Sequence, residues 1–253
     1  MLMTRVMPCL LLKNGSLVKT VKFKDPGYIG DPINAIRIFN EKEVDELIFL
    51  DISATVEKRQ PPFKVLSEIA SECFMPVTYG GGVRDVETIR QILSLGIEKV
   101  AINSHAVENP DFVRAAAEKF GSSTIVVSMD VRRKMFGKYE VVIHGGRKGT
   151  GLDPVEFASA MEKLGAGEIL LTAVDRDGTQ EGYDVELVKS VTSVVGIPVI
   201  ACGGAGKIED FRLAVKEGGA SACAAGSMVV YFGRNRAVLI TFPEREKLEA
   251  ILR

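Results

Sequence analysis

The sequence predicts a single (β/α)8 barrel spanning residues 1–253. Three observations predict it. Short apolar runs alternate with helical segments eight times along the chain. The runs are continuous in apolar character, as strands buried on both faces of a parallel sheet are. The first half of the chain also recurs in the second at a fixed offset. With 253 residues, 46% of them hydrophobic and 26% charged, the chain can bury one large core.

The elements follow in order. Arg5–Leu12 reads as a strand and Pro32–Asn40 as a helix. Glu46–Asp51 (ELIFLD) is a strand and Pro62–Ser71 a helix. Pro76–Tyr79 is a strand; Val86–Leu95 is a helix with Ile89, Ile92 and Leu93 on one face. Lys99–Asn103 precedes a helix over Pro110–Phe120, opened by proline. Thr124–Asp130 and Pro154–Leu164 form the fifth unit, Glu168–Val174 and Val185–Val194 the sixth. Pro198–Cys202 with Glu209–Glu217, then Ser221–Ala225 with Glu244–Leu252, complete eight units. In a closed barrel of this kind the site lies at the carboxyl ends of the strands.

The repeat supports closure. Glu46-Leu-Ile-Phe-Leu recurs as Glu168-Ile-Leu-Leu-Thr, Pro76-Val as Pro198-Val, Gly81-Gly82 as Gly203-Gly204 and Gly96 as Gly218, always 122 positions on. Apolar register and glycines repeat together, which implies two half-barrels about a pseudo-twofold axis.

Composition excludes several classes. The net charge is −1 and the basic residues are dispersed, so no nucleic-acid interface is expected. No apolar run reaches membrane-span length, and the opening Met-Leu-Met-Thr-Arg runs straight into a strand without a signal peptide, so a cytoplasmic protein is expected. Cys9, Cys73, Cys202 and Cys223 lack CxxC spacing and read as free thiols. His105 and His144 are the only histidines, so neither a metal nor another cofactor is expected.

Candidate chemistry gathers at the strand ends. Pro198-Val-Ile-Ala-Cys-Gly-Gly-Ala-Gly206 and Pro76-Val-Thr-Tyr-Gly-Gly-Gly-Val83 each end an apolar run in small residues whose bare N–H groups suit a phosphate. Each turn is completed by the next strand end, Asn103-Ser104 in one half and Ala224-Ala225-Gly226-Ser227 in the other. Two such sites imply an elongated bis-phosphorylated ligand, or a fold inherited from a protein that bound one. Asp51 and Asp130 end strands 2 and 5, and Asp175 and Asp177 follow strand 6; Asp130 closes an otherwise apolar strand and is the best proton-transfer candidate. Its counterpart on strand 1 by pseudo-symmetry falls at Leu11, which moves no proton. At the opposite end, Arg5, Glu46, Lys99 and Glu168 open strands and can form a ring of ion pairs, either a stability plug or a gate on an axial passage.

Over nearly its whole length the chain resembles the cyclase subunit of imidazole glycerol phosphate synthase. Glu46-Leu-Ile-Phe-Leu-Asp-Ile-Ser-Ala-Thr-Val-Glu-Lys-Arg59, the Gly80-Gly-Gly turn, Gly165-Ala-Gly-Glu-Ile-Leu-Leu-Thr-Ala-Val-Asp-Arg-Asp-Gly-Thr179 and Gly203-Gly-Ala-Gly206 carry the resemblance. It implies a class I glutaminase docked at the barrel bottom, with ammonia passing an Arg/Glu/Lys/Glu gate. At the mouth, two aspartates ending strands 1 and 5 would convert a bis-phosphorylated ribulosyl ribonucleotide to imidazole glycerol phosphate and an aminoimidazole ribotide. Carried over, the gate is Arg5, Glu46, Lys99 and Glu168, and one phosphate site is Gly82, Asn103 and Ser104. The other phosphate site is Asp177, Gly178, Gly204, Ala225 and Ser227; Lys19 and Asp51 also match at the mouth, as does catalytic Asp130.

The departures concentrate on the cyclase machinery. Leu11 replaces the strand-1 aspartate, Asn14-Gly15 replaces the usual Asp-Gly, and a serine beyond strand 5 is replaced near Gly145. The loop Val21–Asp31 and the tail Tyr231–Pro243 are atypical. Losing a general acid or base typically removes about 10²–10⁴-fold in rate. Pro8-Cys-Leu-Leu-Leu-Lys-Asn-Gly15 resembles a branch found in bacterial surface-polysaccharide (O-antigen) clusters. Those barrels work with a glutaminase and an N-acetyl sugar amidotransferase to convert an acetamido group on a nucleotide sugar to an acetamidino group. The chain is therefore expected either to pass ammonia to such a partner or to act as a cyclase by another route.

Overall fold

The computed structural model describes residues 4–233 and 235–253; the first three residues of the N-terminal stretch read above, and Arg234 of the tail, lie outside them. Eight strands form the barrel: β1 (Arg5–Lys13), β2 (Leu47–Asp51), β3 (Val77–Gly80), β4 (Lys99–Ile102), β5 (Ile125–Arg133), β6 (Glu168–Ala173), β7 (Val199–Cys202) and β8 (Ala222–Ala225). Each pairs in parallel with its neighbours, and β8 returns to β1 through Arg5 opposite Ala222, so the sheet closes.

The helices α1 (Pro32–Glu41), α2 (Phe63–Glu72), α3 (Val86–Ser94), α4 (Asp111–Phe120), α5 (Pro154–Lys163), α6 (Val185–Thr192), α7 (Ile208–Lys216) and α8 (Arg245–Leu252) follow the strands. Asp31, Asp85, Asp153 and Asp184 cap α1, α3, α5 and α6 by accepting first-turn N–H bonds. Each helix buries one stripe; in α3 this is Thr88, Ile89 and Ile92. No described helix is long and apolar enough to cross a membrane.

Side-chain parity divides the core in two. Along β1, Val6, Leu10 and Leu12 pack outward against the helices, while Met7 and Cys9 turn into the barrel. Inside they meet Ile48, Ala101, Val126, Leu170 and Ile200. The same parity sends Arg5 to the bottom of the interior and Leu11 to the top.

The structure lengthens two predicted strands. β1 and β5 each run nine residues and extend past the rim into antiparallel ribbons, with Ser16–Val21 on β1 and Tyr139–Ile143 on β5. Lys24–Gly30 pairs back on the first ribbon, so the stretch after strand 1 is sheet where the sequence reading placed a loop. Lys24–Gly30 is mostly exposed, and the ribbons carry charges at Lys13, Arg132 and Arg133, so they lack the continuous apolar pattern of buried strands. One signal was present: Asn14-Gly15, both at positive φ (52° and 78°), is the dipeptide that favours a tight hairpin turn. The fifth strand begins at Ile125 rather than Thr124, because Ser122–Thr124 forms a 3-10 turn. Short helices at Ser104–Glu108 and Ser227–Val230 follow β4 and β8 and were not anticipated.

Candidate functional site

At the base of the barrel the four charged residues meet in a closed ring. Arg5 reaches Glu46 at 2.7 Å and Glu168 at 2.8 Å; Lys99 lies 2.9 Å from Glu46 and 3.3 Å from Glu168. Thr78 Oγ1 donates to Glu46 at 3.1 Å. Burial works against the Arg5 charge, but Glu168 and Glu46 outweigh it and its pKa is raised. Above the ring the interior is lined by Met7, Ile48, Ala101, Val126 and Leu170. An apolar interior of this kind admits neutral ammonia more readily than ammonium, which carries a large desolvation cost.

The carboxyl ends of the strands enclose a chamber of about 850 Å³. Leu11, Lys19, Asp51, Gly82, Asn103, Ser104, Asp130, Asp177, Gly178, Gly204 and Ser227 all line it. Ala225 does not; it is buried behind Ala224 and Gly226. The glycine turns are sterically enforced. A Cβ on Gly81 would lie 2.6 Å from the Asp51 carbonyl, and one on Gly204 would lie 2.1 Å from that of Gly182, at φ of 127° and 116°. Among the described residues, the N–H groups of Gly204, Ala205, Gly226 and Ser227 have no hydrogen-bond acceptor.

Strand register identifies the counterpart of the catalytic candidate. Leu11 stands opposite Leu50 and, in its ribbon, Val18. Asp130 stands opposite Thr172 and, in its ribbon, Val142. Thr172 lies 122 positions after Leu50, the repeat offset, so Leu11 and Asp130 are equivalent places in the two halves. One half of the mouth therefore carries Leu11/Leu50 where the other carries Asp130/Thr172. Sequence reasoning missed Leu50 and Thr172, although the repeat contained them.

Asp130 is buried, and burial pushes its carboxyl from the ordinary 3.8 to about 7. The hydrogen bond donated by Asn103 Nδ2 at 3.1 Å opposes this, and the Asp177 charge adds to it. The buried Thr172 hydroxyl faces the carboxyl without meeting hydrogen-bond geometry. The folded carboxyl thus holds its proton to about pH 7, whereas the unfolded one releases it near about pH 4. Between these values the native state binds more protons, so stability falls as pH rises. Asp130→Asn is expected to remove this slope, gaining on the order of 2–4 kcal/mol relative to the parent at pH 8 and little at pH 4. Denaturant titrations across that range measure it; an equal offset at both ends would contradict the buried-acid assignment.

The other acids are engaged. Asp51 Oδ1 accepts from Ser53 N, Ser53 Oγ and Ala54 N, each at 2.9 Å, and Arg59 lies 3.6 Å away. Asp177 is held by Lys19 Nζ and Thr20 Oγ1, both at 2.8 Å, which ties the β1 ribbon to the loop after β6. Asn103 Nδ2 also donates to Ser128 O at 2.8 Å, and Ser104 Oγ donates to Asn103 Oδ1 at 3.1 Å while accepting from His144 N at 3.0 Å. Asp175 accepts from Arg133 N and does not line the chamber. The four cysteines are free thiols; Cys9, Cys202 and Cys223 are buried.

A closed barrel with a half-barrel repeat, a mouth chamber and a charged ring at its base defines the class: a (β/α)8-barrel protein whose site lies at the carboxyl ends of its strands. A family model described as "Histidine biosynthesis protein" matches residues 5–235. The imidazole glycerol phosphate synthase subunit HisF of Hyphomonas neptunium is 52% identical over 233 residues, covering 92% of each chain. That of Alkaliphilus metalliredigens is 47% identical over 231 residues, covering 91% of this chain and 92% of the relative. A Pseudomonas aeruginosa protein provisionally named imidazole glycerol phosphate synthase subunit hisF2 is 51% identical over 249 residues, covering 98% and 99%. The chain belongs to the histidine biosynthesis protein family, within its HisF-like branch of imidazole glycerol phosphate synthase cyclase subunits.

Proposed function

We propose that the chain is the barrel subunit of a glutamine-dependent complex that passes ammonia onward instead of building it into an imidazole. A class I glutaminase docks at the base, ammonia crosses the Arg5–Glu46–Lys99–Glu168 ring, and the apolar interior carries it to the mouth. The observation that supports this most is the register: Leu11 and Leu50 occupy the half of the mouth where a second proton-transfer group would stand. Asp130 remains, and Asp51 and Asp177 are committed to Arg59, Lys19 and local hydrogen bonds.

The acceptor in this reading is the acetamido group of a nucleotide sugar, presented by a sugar amidotransferase. That finer step rests on the resemblance of Pro8–Gly15 to barrels of surface-polysaccharide clusters. A second reading, a working cyclase-lyase, is favoured by the names of the relatives and by Asp130, whose pKa near 7 suits acid–base work. Reconstitution with the glutaminase, the amidotransferase and the acetamido sugar tests the first reading. Omitting this chain should abolish glutamine-dependent amidination and spare the reaction driven by ammonium salt. Glutamine-dependent product without the chain would overturn it.

A further inference from the structure

The tail after β8 contributes a cation that the mouth has not yet used. Tyr231–Phe232 pairs with Ala237–Val238, and the turn between them is closed by Arg236 N donating to Gly233 O at 3.1 Å. Arg236 sits there at φ 51°. Its guanidinium folds back over the Tyr231 ring at 4.7 Å and donates to Ser227 Oγ at 3.2 Å and Gly178 O at 3.1 Å. Both acceptors are neutral, and both belong to residues that line the chamber.

The guanidinium is half-buried, and no described carboxylate lies within ion-pair distance of it. Asp177 and Glu181, which flank Gly178 in sequence, are paired with Lys19 and Arg176. A half-buried guanidinium held only by neutral acceptors keeps its charge available to an anion, with which its hydrogen bonds are stronger. The groups beside it are ready for one. Because Arg236 donates to the Ser227 oxygen, the serine proton is free to point into the chamber. The N–H groups of Gly204, Ala205, Gly226 and Ser227 have no acceptor among the described residues. Tyr231 braces the arrangement from the far side, since a Cβ on Gly27 of the β1 ribbon would lie 3.5 Å from its hydroxyl.

We propose that Arg236 is an anion-binding and positioning residue of the β7–β8 cradle. It supplies the positive charge for a phosphomonoester and orients Ser227 as a donor to it. This rests on the reading that the mouth takes a phosphorylated ligand, and it gives the cradle a preference for a doubly charged phosphate.

Inorganic phosphate is the probe, followed by calorimetric titration of the parent, Arg236→Gln and Arg236→Lys in the intact chain. The parent should bind phosphate saturably. Arg236→Gln, which keeps polarity and loses charge, should weaken one class of site by roughly 10- to 100-fold, the scale of a charged hydrogen bond. Arg236→Lys should recover part of the loss, and melting in phosphate-free buffer should be alike for all three. Unchanged affinity in Arg236→Gln overturns the assignment of Arg236, as does equal loss in Arg236→Lys. Absence of saturable binding by the parent overturns instead the phosphate reading of the cradle.

Discussion

Leu11→Asp is expected to raise imidazole glycerol phosphate formation, in the presence of the glutaminase, by about 10²–10⁴-fold over the parent. Leu11 and Asp130 occupy equivalent register positions on β1 and β5, strands that face each other across the ring of eight. The substitution restores a second carboxyl to the chamber that holds Asp130 and the glycine cradles. Leu11 is only partly buried, so the aspartate side chain meets solvent in the chamber and its desolvation cost is modest. Single-turnover assays with the ribulosyl ribonucleotide measure the effect. A parent that already turns over, and a variant that changes nothing, would mean that another group serves at this position and that the cyclase reading is right.

Lys99→Glu should uncouple the two ends of the barrel. The parent ring alternates two cations and two carboxylates, with Glu46 and Glu168 each contacting both Arg5 and Lys99. Reversing Lys99 leaves three carboxylates around one guanidinium. Breaking buried pairs in this way costs about 3–5 kcal/mol of stability. Glutamine-dependent transfer through the barrel should collapse while transfer from ammonium salt added at the mouth persists. Lys99→Met removes the charge without adding a like one and separates misfolding from mis-gating. If product formation from glutamine is unaffected in both variants, the ring is a stabilising plug and ammonia takes another route.

The barrel was legible because its strands are buried on both faces and its halves repeat; both leave marks in one sequence. The ring was also legible, since Arg5, Glu46, Lys99 and Glu168 open their strands, although only the closed pairing separates a ring from four scattered charges. The ribbons after β1 and β5 were not, because charged residues interrupt their apolar pattern; Asn14-Gly15 alone marked the first. Among site residues, Leu11 was found by symmetry, whereas Thr172 and Leu50 required strand register. The side chains of Asn103 and Ser104 turn to Asp130, Ser128 and each other, which no spacing rule conveys. Arg236 lies in a tail without periodicity, and only its return to Ser227 places it at the mouth.

The most direct measurement adds the purified chain to its glutaminase, with glutamine and the ribulosyl ribonucleotide, and follows glutamate and imidazole glycerol phosphate together. An ammonia-conducting barrel without a second proton-transfer group predicts accelerated glutamate release with no imidazole glycerol phosphate above background. Stoichiometric formation of both products at a sustained rate would contradict it.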